Sequence, residues 1–329
     1  MSKRDTLKKF AFFGTILILM LVMIYSGLQI LEATVFSQDN VVEESTAPSK
    51  TITRDGIDYF PRQDITVFMI LGIDQEGPVQ ASGSYNNHGA ADAVILLIFD
   101  EVEENCRVLA LNRDTMLEMP VLGIGGKQAG TYYGQLALSH TYGTGLEDSC
   151  ENTKTAVSDF LYGLYIDYYV AMNMDAIAIA NDAVGGVTVH VTEDFSQVDP
   201  TITQGTVTLR GEQAMNYVRT RKDVGDQLNL SRMGRHEKYV QGFLEALRAQ
   251  LESNDTFALE LYEQLSDYVV TDCSAATLSM VLDRYAQCEI AEIVTPVGEN
   301  VLGEEYYEFY ADEEALDELI LRLLYAPKK

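Results

Sequence analysis

The 329-residue sequence predicts an α/β fold: a central mixed β-sheet with helices on both faces, preceded by one N-terminal transmembrane helix. Three observations lead there. A charge-free apolar run fills 10–31. Three short, nearly continuous apolar stretches, DITVFMILGID at 64–74, AVILLIFD at 93–100 and RVLALN at 107–112, suit strands buried on both faces. From about residue 148 onward, stretches of helical pattern alternate with further strands, as they do when helices cover a sheet. The composition, 47% hydrophobic and 22% charged with 7 prolines, is globular and sets aside collagenous or disordered classes.

Residues 1–9 are expected to be a cytoplasmic tail, because Lys3, Arg4, Lys8 and Lys9 outweigh Asp5 and positive charge stays inside. The run at 10–31 has 22 residues, and at about 1.5 Å per residue it crosses a hydrocarbon core of roughly 30 Å. It exceeds the apolar region of a cleavable signal and lacks a good small-residue cleavage site, so it reads as an uncleaved anchor. No second run is long enough to span, which makes the protein single-pass with its C-terminal body outside the cell. Residues 32–62 are polar and aperiodic and are expected to form a stalk. The body then divides into a catalytic domain at 63–255 and an α/β extension at 256–329.

Within the body the pattern predicts a helix at Asp148–Leu161 with Ser149 as its N-cap, and a strand at Tyr168–Asn173. A helix at Asp175–Val184 and a strand at Gly186–Val191 follow. A short helix at Gly211–Val218 precedes a long one at Leu230–Gln250, where Tyr239, Phe243 and Leu247 recur every four residues. Helices near Phe257–Leu265, Ala275–Tyr285 and Glu313–Leu324 and a strand near Glu289–Val294 complete the tail. Cys106, Cys150, Cys273 and Cys288 show no CxxC spacing, which argues against zinc. Four cysteines in an exported body allow three disulfide connectivities, and pairing of neighbours (Cys106–Cys150, Cys273–Cys288) is the expectation.

Charge narrows the function. Of 23 basic and 50 acidic residues, 19 and 49 lie beyond residue 9, so the body carries −30. Such a body repels phosphates instead of releasing their counterions, which excludes nucleic acid as a partner. Against that background two constellations stand out. Asp74 closes the first strand and Asp92 opens the second, and two carboxylates with water and substrate phosphate suffice for Mg²⁺; Asp is also a common strand-ending turn former. Arg113-Asp114 follow the third strand. Arg219, Arg221, Lys222, Arg232, Arg235 and Lys238 then place six of the 19 body cations within 20 positions. A helix sets Arg232, Arg235 and His236 on one face, and extended backbone points Arg219 and Arg221 the same way. Arginine forks converging like this suit phosphate oxygens, although a solvated charge run has the same spelling. Ser139-His140-Thr141-Tyr142-Gly143 offers one loop histidine, either a base or a structural residue. No GxSxG elbow, Walker loop or GxGxxG after a strand occurs.

Taken in order, these blocks resemble the LytR–CpsA–Psr family of membrane-anchored cell-wall phosphotransferases. The resemblance lies in LGID at 71–74, the Asp at 92, NRDT at 112–115, SHTYG at 139–143, IDYYVAMNMDAI at 166–177, DAVGGVTVHV at 182–191, LRGEQAMNYVRTRK at 209–222 and SRMGRHEKY at 231–239. It covers about 64–250 and not the tail beyond 255.

The resemblance implies transfer of a glycan phosphate from a polyprenyl pyrophosphate carrier to peptidoglycan or another wall acceptor, beside the lipid membrane. By position it implies Asp74 and Asp92 as ligands of Mg²⁺ (or Mn²⁺), and Arg113, Arg219, Arg221 and Arg232 as the grip on the pyrophosphate. Arg235 and His236 complete the binding motif, and Asp92, Arg113, Arg219 and Arg221 are the catalytic set. Two departures stand out. Ala90-Ala91 precede Asp92 where the family carries an arginine, and His236 stands where it carries glutamine. The insertion at 75–91 (QEGPVQASGSYNNHGAA) reshapes the same corner, with His88 a candidate stand-in for the missing cation. Ala90 keeps a second class of function open, a non-catalytic polyprenyl-phosphate or wall-binding protein; a third is a pyrophosphatase with water as acceptor.

Overall fold

The computed structural model describes residues 51–327, apart from 55, 124, 221–223, 225–234, 236–237, scattered positions between 240 and 256, 275–276, 278–288 and 305. The expected anchor at 10–31 and cytoplasmic tail therefore lie outside the described residues. Among those described, no helix is long and apolar enough to cross a membrane.

Three central strands come from the three apolar runs. β3 (Ile65–Ile73), β4 (Ala91–Asp100) and β5 (Asn105–Leu111) form an antiparallel meander. β8 (Tyr168–Asn173) lies parallel to β3 on its outer side. β11 (Val269–Thr271) and β12 (Glu289–Val294) close the two edges, for the order β11-β8-β3-β4-β5-β12. Residues after 255 thus supply both edge strands of the central sheet.

Side chains alternate along each strand between two buried layers. Phe68, Ile70, Ile95, Leu97, Cys106 and Val108 enter one layer; Met69, Leu71, Leu96, Ile98, Leu109 and Leu111 enter the other. Burial on both faces is why these runs lack a polar period, and the predicted α/β class with a mixed sheet holds. The first layer is covered by α2 (Asp175–Ala183), α3 (Glu212–Arg219) and α4 (Phe257–Leu265), and by Tyr239, Phe243 and Leu247. The second is covered by α1 (Glu147–Phe160) and α5 (Glu313–Leu324). Two exposed hairpins flank the sheet: β6 (Met116–Leu122) with β7 (Gln128–Gln135), and β13 (Gly298–Leu302) with β14 (Tyr307–Ala311). A smaller antiparallel pair joins β9 (Val187–Val191) to β10 (Gly205–Leu209).

Three expectations are corrected. The end of the supposed stalk is folded: β1 (Ile52–Arg54) and β2 (Ile57–Pro61) pair, and β2 is completed by β15 (Tyr325–Pro327) from the far end of the chain. Its stability comes from that distant partner, which no local period reveals. Cys106 and Cys150 sit in opposite layers, both buried, with the sheet between them, so they do not form the expected bridge; Cys273 forms no disulfide, and Cys288 lies outside the described residues. Ser149 does not cap α1, which begins at Glu147 after Leu146. Its hydroxyl instead accepts the Gly145 N–H at 2.8 Å.

Gly242, on the helical stretch after Arg235, lies directly against β9. A Cβ there would run into the Thr188 carbonyl oxygen and sit 3.0 Å from Val187 Cγ1. Gly242→Ala is therefore expected to destabilise the fold by about 2 kcal/mol through overpacking, and urea unfolding with an unchanged m-value checks it.

Candidate active site

The antiparallel meander brings the end of β3, the start of β4 and the end of β5 to one rim of the sheet. Asp74 follows β3, and its N–H donates to Ala90 O at 2.9 Å, tying it to the approach to β4. Opposite it the register slips: Gly72 pairs with Ala93 but Ile73 pairs with Ala91, so Asp92 is the extra residue of a β-bulge. The bulge breaks the alternation and turns Asp92 out of the sheet layers toward the rim, as bulges beside functional sites do.

Arg113 leaves β5 through a turn made by Asn112, whose side-chain oxygen accepts the Asp114 N–H at 3.0 Å and whose carbonyl accepts the Thr115 hydroxyl at 2.6 Å. The Arg113 carbonyl accepts the Ala137 N–H at 2.9 Å, so its backbone is held from both sides. Its guanidinium pairs with Asp92 through Nη1 and Oδ1, and its Nε lies 3.5 Å from Asp114 Oδ1. Arg219 arrives as the last residue of α3, with Nη2 3.3 Å from Asp74 Oδ1 and Nη1 2.7 Å from Glu76 Oε1. Asp74, Asp92, Arg113 and Arg219 are thereby brought together, each side chain between 38% and 46% exposed.

The charges of the rim act on one another. Burial pushes the Asp92 carboxyl above its ordinary value, the Arg113 charge opposes that, and the Asp74 charge adds to it. Arg219 is held more firmly protonated, mainly by its hydrogen bond to Glu76 and further by Asp74 and Asp92. Glu76 had no sequence signal beyond its place in the insertion.

The insertion is pinned from below. Asn87, 3% exposed, donates through Nδ2 to His140 O at 2.8 Å, Gly143 O at 3.0 Å and Ser149 Oγ at 3.0 Å. Its Oδ1 accepts the Gly89 N–H at 2.7 Å. His140 is the structural residue of its two possible readings: 1% exposed, kept neutral by burial, with Nδ1 2.7 Å from Gly89 O. The carbonyl can only accept, so Nδ1 carries the proton. His88 is exposed, and among the described residues no hydrogen bond or ion pair joins it to Asp92. Asn87→Ala is expected to destabilise the protein by about 2 kcal/mol, since several buried partners lose their bonds at once; limited proteolysis is expected to cut 75–90 faster, with urea unfolding giving the magnitude.

Arg235 is not where the resemblance puts it. The side chain is 1% exposed, its Nε donates to Tyr217 O at 3.1 Å, its Nη2 donates to Thr220 O, and Nη1 lies 3.6 Å from Glu193 Oε1. It also lies over the Phe195 ring, 5.5 Å from the centroid. These bonds hold the end of α3, so Arg235 acts on the rim by fixing the helix that presents Arg219. Lys238, from the same cationic run, donates to Thr192 Oγ1 at 3.2 Å, away from the rim. Arg221, Arg232 and His236 lie outside the described residues.

The LytR_cpsA_psr family model matches residues 28–323, well past the point where the quoted blocks end. The polyisoprenyl-teichoic acid–peptidoglycan teichoic acid transferase TagU of Oceanobacillus iheyensis is 26% identical over 310 residues, covering 92% of this chain and 89% of its own. The crystal structure of gbs0355 from Streptococcus agalactiae superposes with a TM-score of 0.58 at 20% identity, over 79% of this chain and 86% of that one. The structure described as TagT bound to LI-WTA gives a TM-score of 0.53 at 22% identity, over 79% and 90%. At these identities the two structures establish a shared fold.

Proposed function

Since this chain belongs to the LytR–CpsA–Psr family, we propose that it transfers a glycan phosphate from a polyprenyl pyrophosphate carrier to peptidoglycan or another wall acceptor. The observation that carries this reading is the convergence of Arg113 and Arg219 with Asp74 and Asp92 on one rim of the sheet. The same substrate class appears in the name of the TagU relative.

A substrate pyrophosphate entering the rim replaces carboxylates as the partner of both guanidiniums, whose forks match phosphate oxygens. Arg113 and Arg219 then stabilise the charge that grows on the departing polyprenyl phosphate. The acceptor hydroxyl oxygen bonds to the glycan-side phosphorus as that phosphorus releases the bridging oxygen to the polyprenyl phosphate. The hydroxyl proton passes to the Asp92 carboxylate, which is released from Arg113 when the pyrophosphate takes over that guanidinium. The raised Asp92 carboxyl is the stronger base for that purpose.

Asp74 and Asp92 fit a hard divalent ion. Two nearby carboxylates, one pushed up partly by the other's charge, are a donor set that gains from a shared cation, and Mg²⁺ takes one or two carboxylates together with phosphate. When bound, Mg²⁺ or Mn²⁺ supplies Lewis-acid neutralisation of phosphoryl charge. Residues 10–31 anchor the chain as a single span with residues 1–9 in the cytoplasm, and the body works outside the cell within reach of a lipid-linked donor.

The test is the full chain in detergent with a short-chain polyprenyl pyrophosphate glycan, peptidoglycan oligomers and Mg²⁺, followed by mass spectrometry. A phosphodiester-linked product that needs the metal and disappears in Arg219→Ala is expected. Free phosphoglycan instead would assign the pyrophosphatase, and lipid binding without product would assign the binding protein and point to Ala90.

A further inference from the structure

The two flanking hairpins carry a concentration of exposed aromatic rings that the phosphate chemistry does not use. Tyr132 and Tyr133 on β7, and Tyr306, Tyr307 and Tyr310 on or beside β14, are 41–67% exposed. On the outer face of each hairpin a tyrosine stands opposite a glutamate: Tyr133 pairs with Glu118, and Tyr310 with Glu299. The Tyr310 hydroxyl donates to Glu308 Oε2 at 2.7 Å, and Thr131 Oγ1 donates to Glu118 Oε1 at 2.5 Å.

The hairpins meet at the candidate site. Thr115 and Phe309 form a parallel bridge, and the Phe309 N–H donates to Asp114 O at 2.8 Å. Gln135 Nε2 reaches both Asp114 Oδ1 at 3.0 Å and Tyr307 O at 2.8 Å. Asp114 is the neighbour of Arg113 and lies beside its guanidinium. The tyrosine surface therefore starts where the phosphate grip ends.

Charge selects its occupant. Glu118, Glu299 and Glu308 repel an anionic glycopolymer and an anionic membrane surface alike. A neutral glycan presents hydroxyl and amide donors to these carboxylates and flat C–H faces to the rings. We propose that the outer faces of the two hairpins dock the neutral glycan strand of the acceptor, with Tyr133 and Tyr310 stacked on sugar rings and the glutamates accepting their hydrogen bonds. This rests on the phosphotransferase reading for the role of the glycan, but binding can be measured without it.

The experiment uses the full chain in detergent, titrated calorimetrically with a short neutral oligomer of N-acetylglucosamine, and separately with dextran sulfate and phosphatidylserine vesicles. The combined Tyr133→Ala and Tyr310→Ala variant is expected to bind the oligomer about tenfold more weakly, the loss of two aromatic contacts. The Phe counterparts keep the affinity, and Arg219→Ala leaves it unchanged while abolishing transfer. In the transfer assay the alanine pair raises KM for the peptidoglycan oligomer with little change in kcat. No binding of the oligomer, or equal binding by the alanine pair, overturns the proposal, as does vesicle binding that the pair abolishes. Tyrosine-dependent glycan binding without any transfer would leave this surface standing and remove the phosphotransferase reading.

Discussion

Asp92→Asn is expected to lower kcat for transfer by about 10³-fold, the range for loss of a positioned proton acceptor beside the reacting phosphate. Asparagine keeps the shape of the bulge residue but cannot take the hydroxyl proton. Without divalent metal, binding of the donor is expected to hold or tighten, because a negative charge near the pyrophosphate is gone while Arg113 and Arg219 remain. Stability provides a second readout. The Asp92 carboxyl is raised in the folded protein, by burial first and by Asp74 as well, so its ionised form weakens the fold at neutral pH. The variant should therefore unfold at a slightly higher temperature than the parent, even as activity collapses. A variant that keeps more than a tenth of the parent kcat would remove Asp92 from the catalytic set.

The largest loss of stability is expected from Asp100→Asn, at the opposite end of β4. The Asp100 side chain is fully buried; Oδ2 accepts Arg62 Nη1 at 2.7 Å and Arg107 Nη1 at 2.8 Å, and Oδ1 accepts the N–H groups of Val102 and Glu103 at 3.1 and 3.0 Å. The network continues from Arg107 to Glu292 on β12 and from Glu292 to Arg322 on α5, tying the residue after β2 to the C-terminal helix. Burial alone would push the Asp100 carboxyl up, but the hydrogen bonds from Arg62, the Glu103 N–H, Arg107 and the Val102 N–H outweigh it and hold the group well below the carboxylate range.

Asparagine leaves two half-buried guanidiniums short of their shared charge, and breaking such a pair costs about 3 kcal/mol. The sign with pH follows from the depressed folded value. Its contribution is complete above the unfolded carboxyl value of about 4 and is lost as pH falls through the folded value. Urea unfolding at neutral pH should separate the parent from the variant by the full amount, and the gap should narrow as pH drops below about 4. Parallel stability curves across that range would show that the network contributes through shape and not through charge.

The strands were legible because a sheet covered on both faces needs apolar side chains at every position, and few other elements of that length do. Asp74 and Arg113 were legible for a related reason: polar residues at the carboxyl ends of such strands have nowhere to go but the rim. Asp92 was legible only as an Asp beside a strand. Its turn toward Asp74 depends on a one-residue slip between β3 and β4, which the letters do not record. Arg219 and Arg235 belong to the same cationic run, yet one lies at the rim and the other is 1% exposed beneath α3. Arginine is spelled the same way whether it meets a ligand or a backbone carbonyl.

Local order along the chain determined the α/β class, the positions of α1 to α5 and of β3, β4, β5, β8, β9 and β12, and the acidic character of the body. Those properties rest on side-chain periodicity and summed charge, which are carried by near neighbours. Long-range pairing decided the rest: which cysteines face which layer, the closure of β2 by β15, the pinning of the insertion by Asn87 and His140, and the choice of Arg219 over Arg235 for the rim. Each of these depends on a partner tens to hundreds of residues away, and burial is set by that partner and not by the residue's own neighbours in sequence.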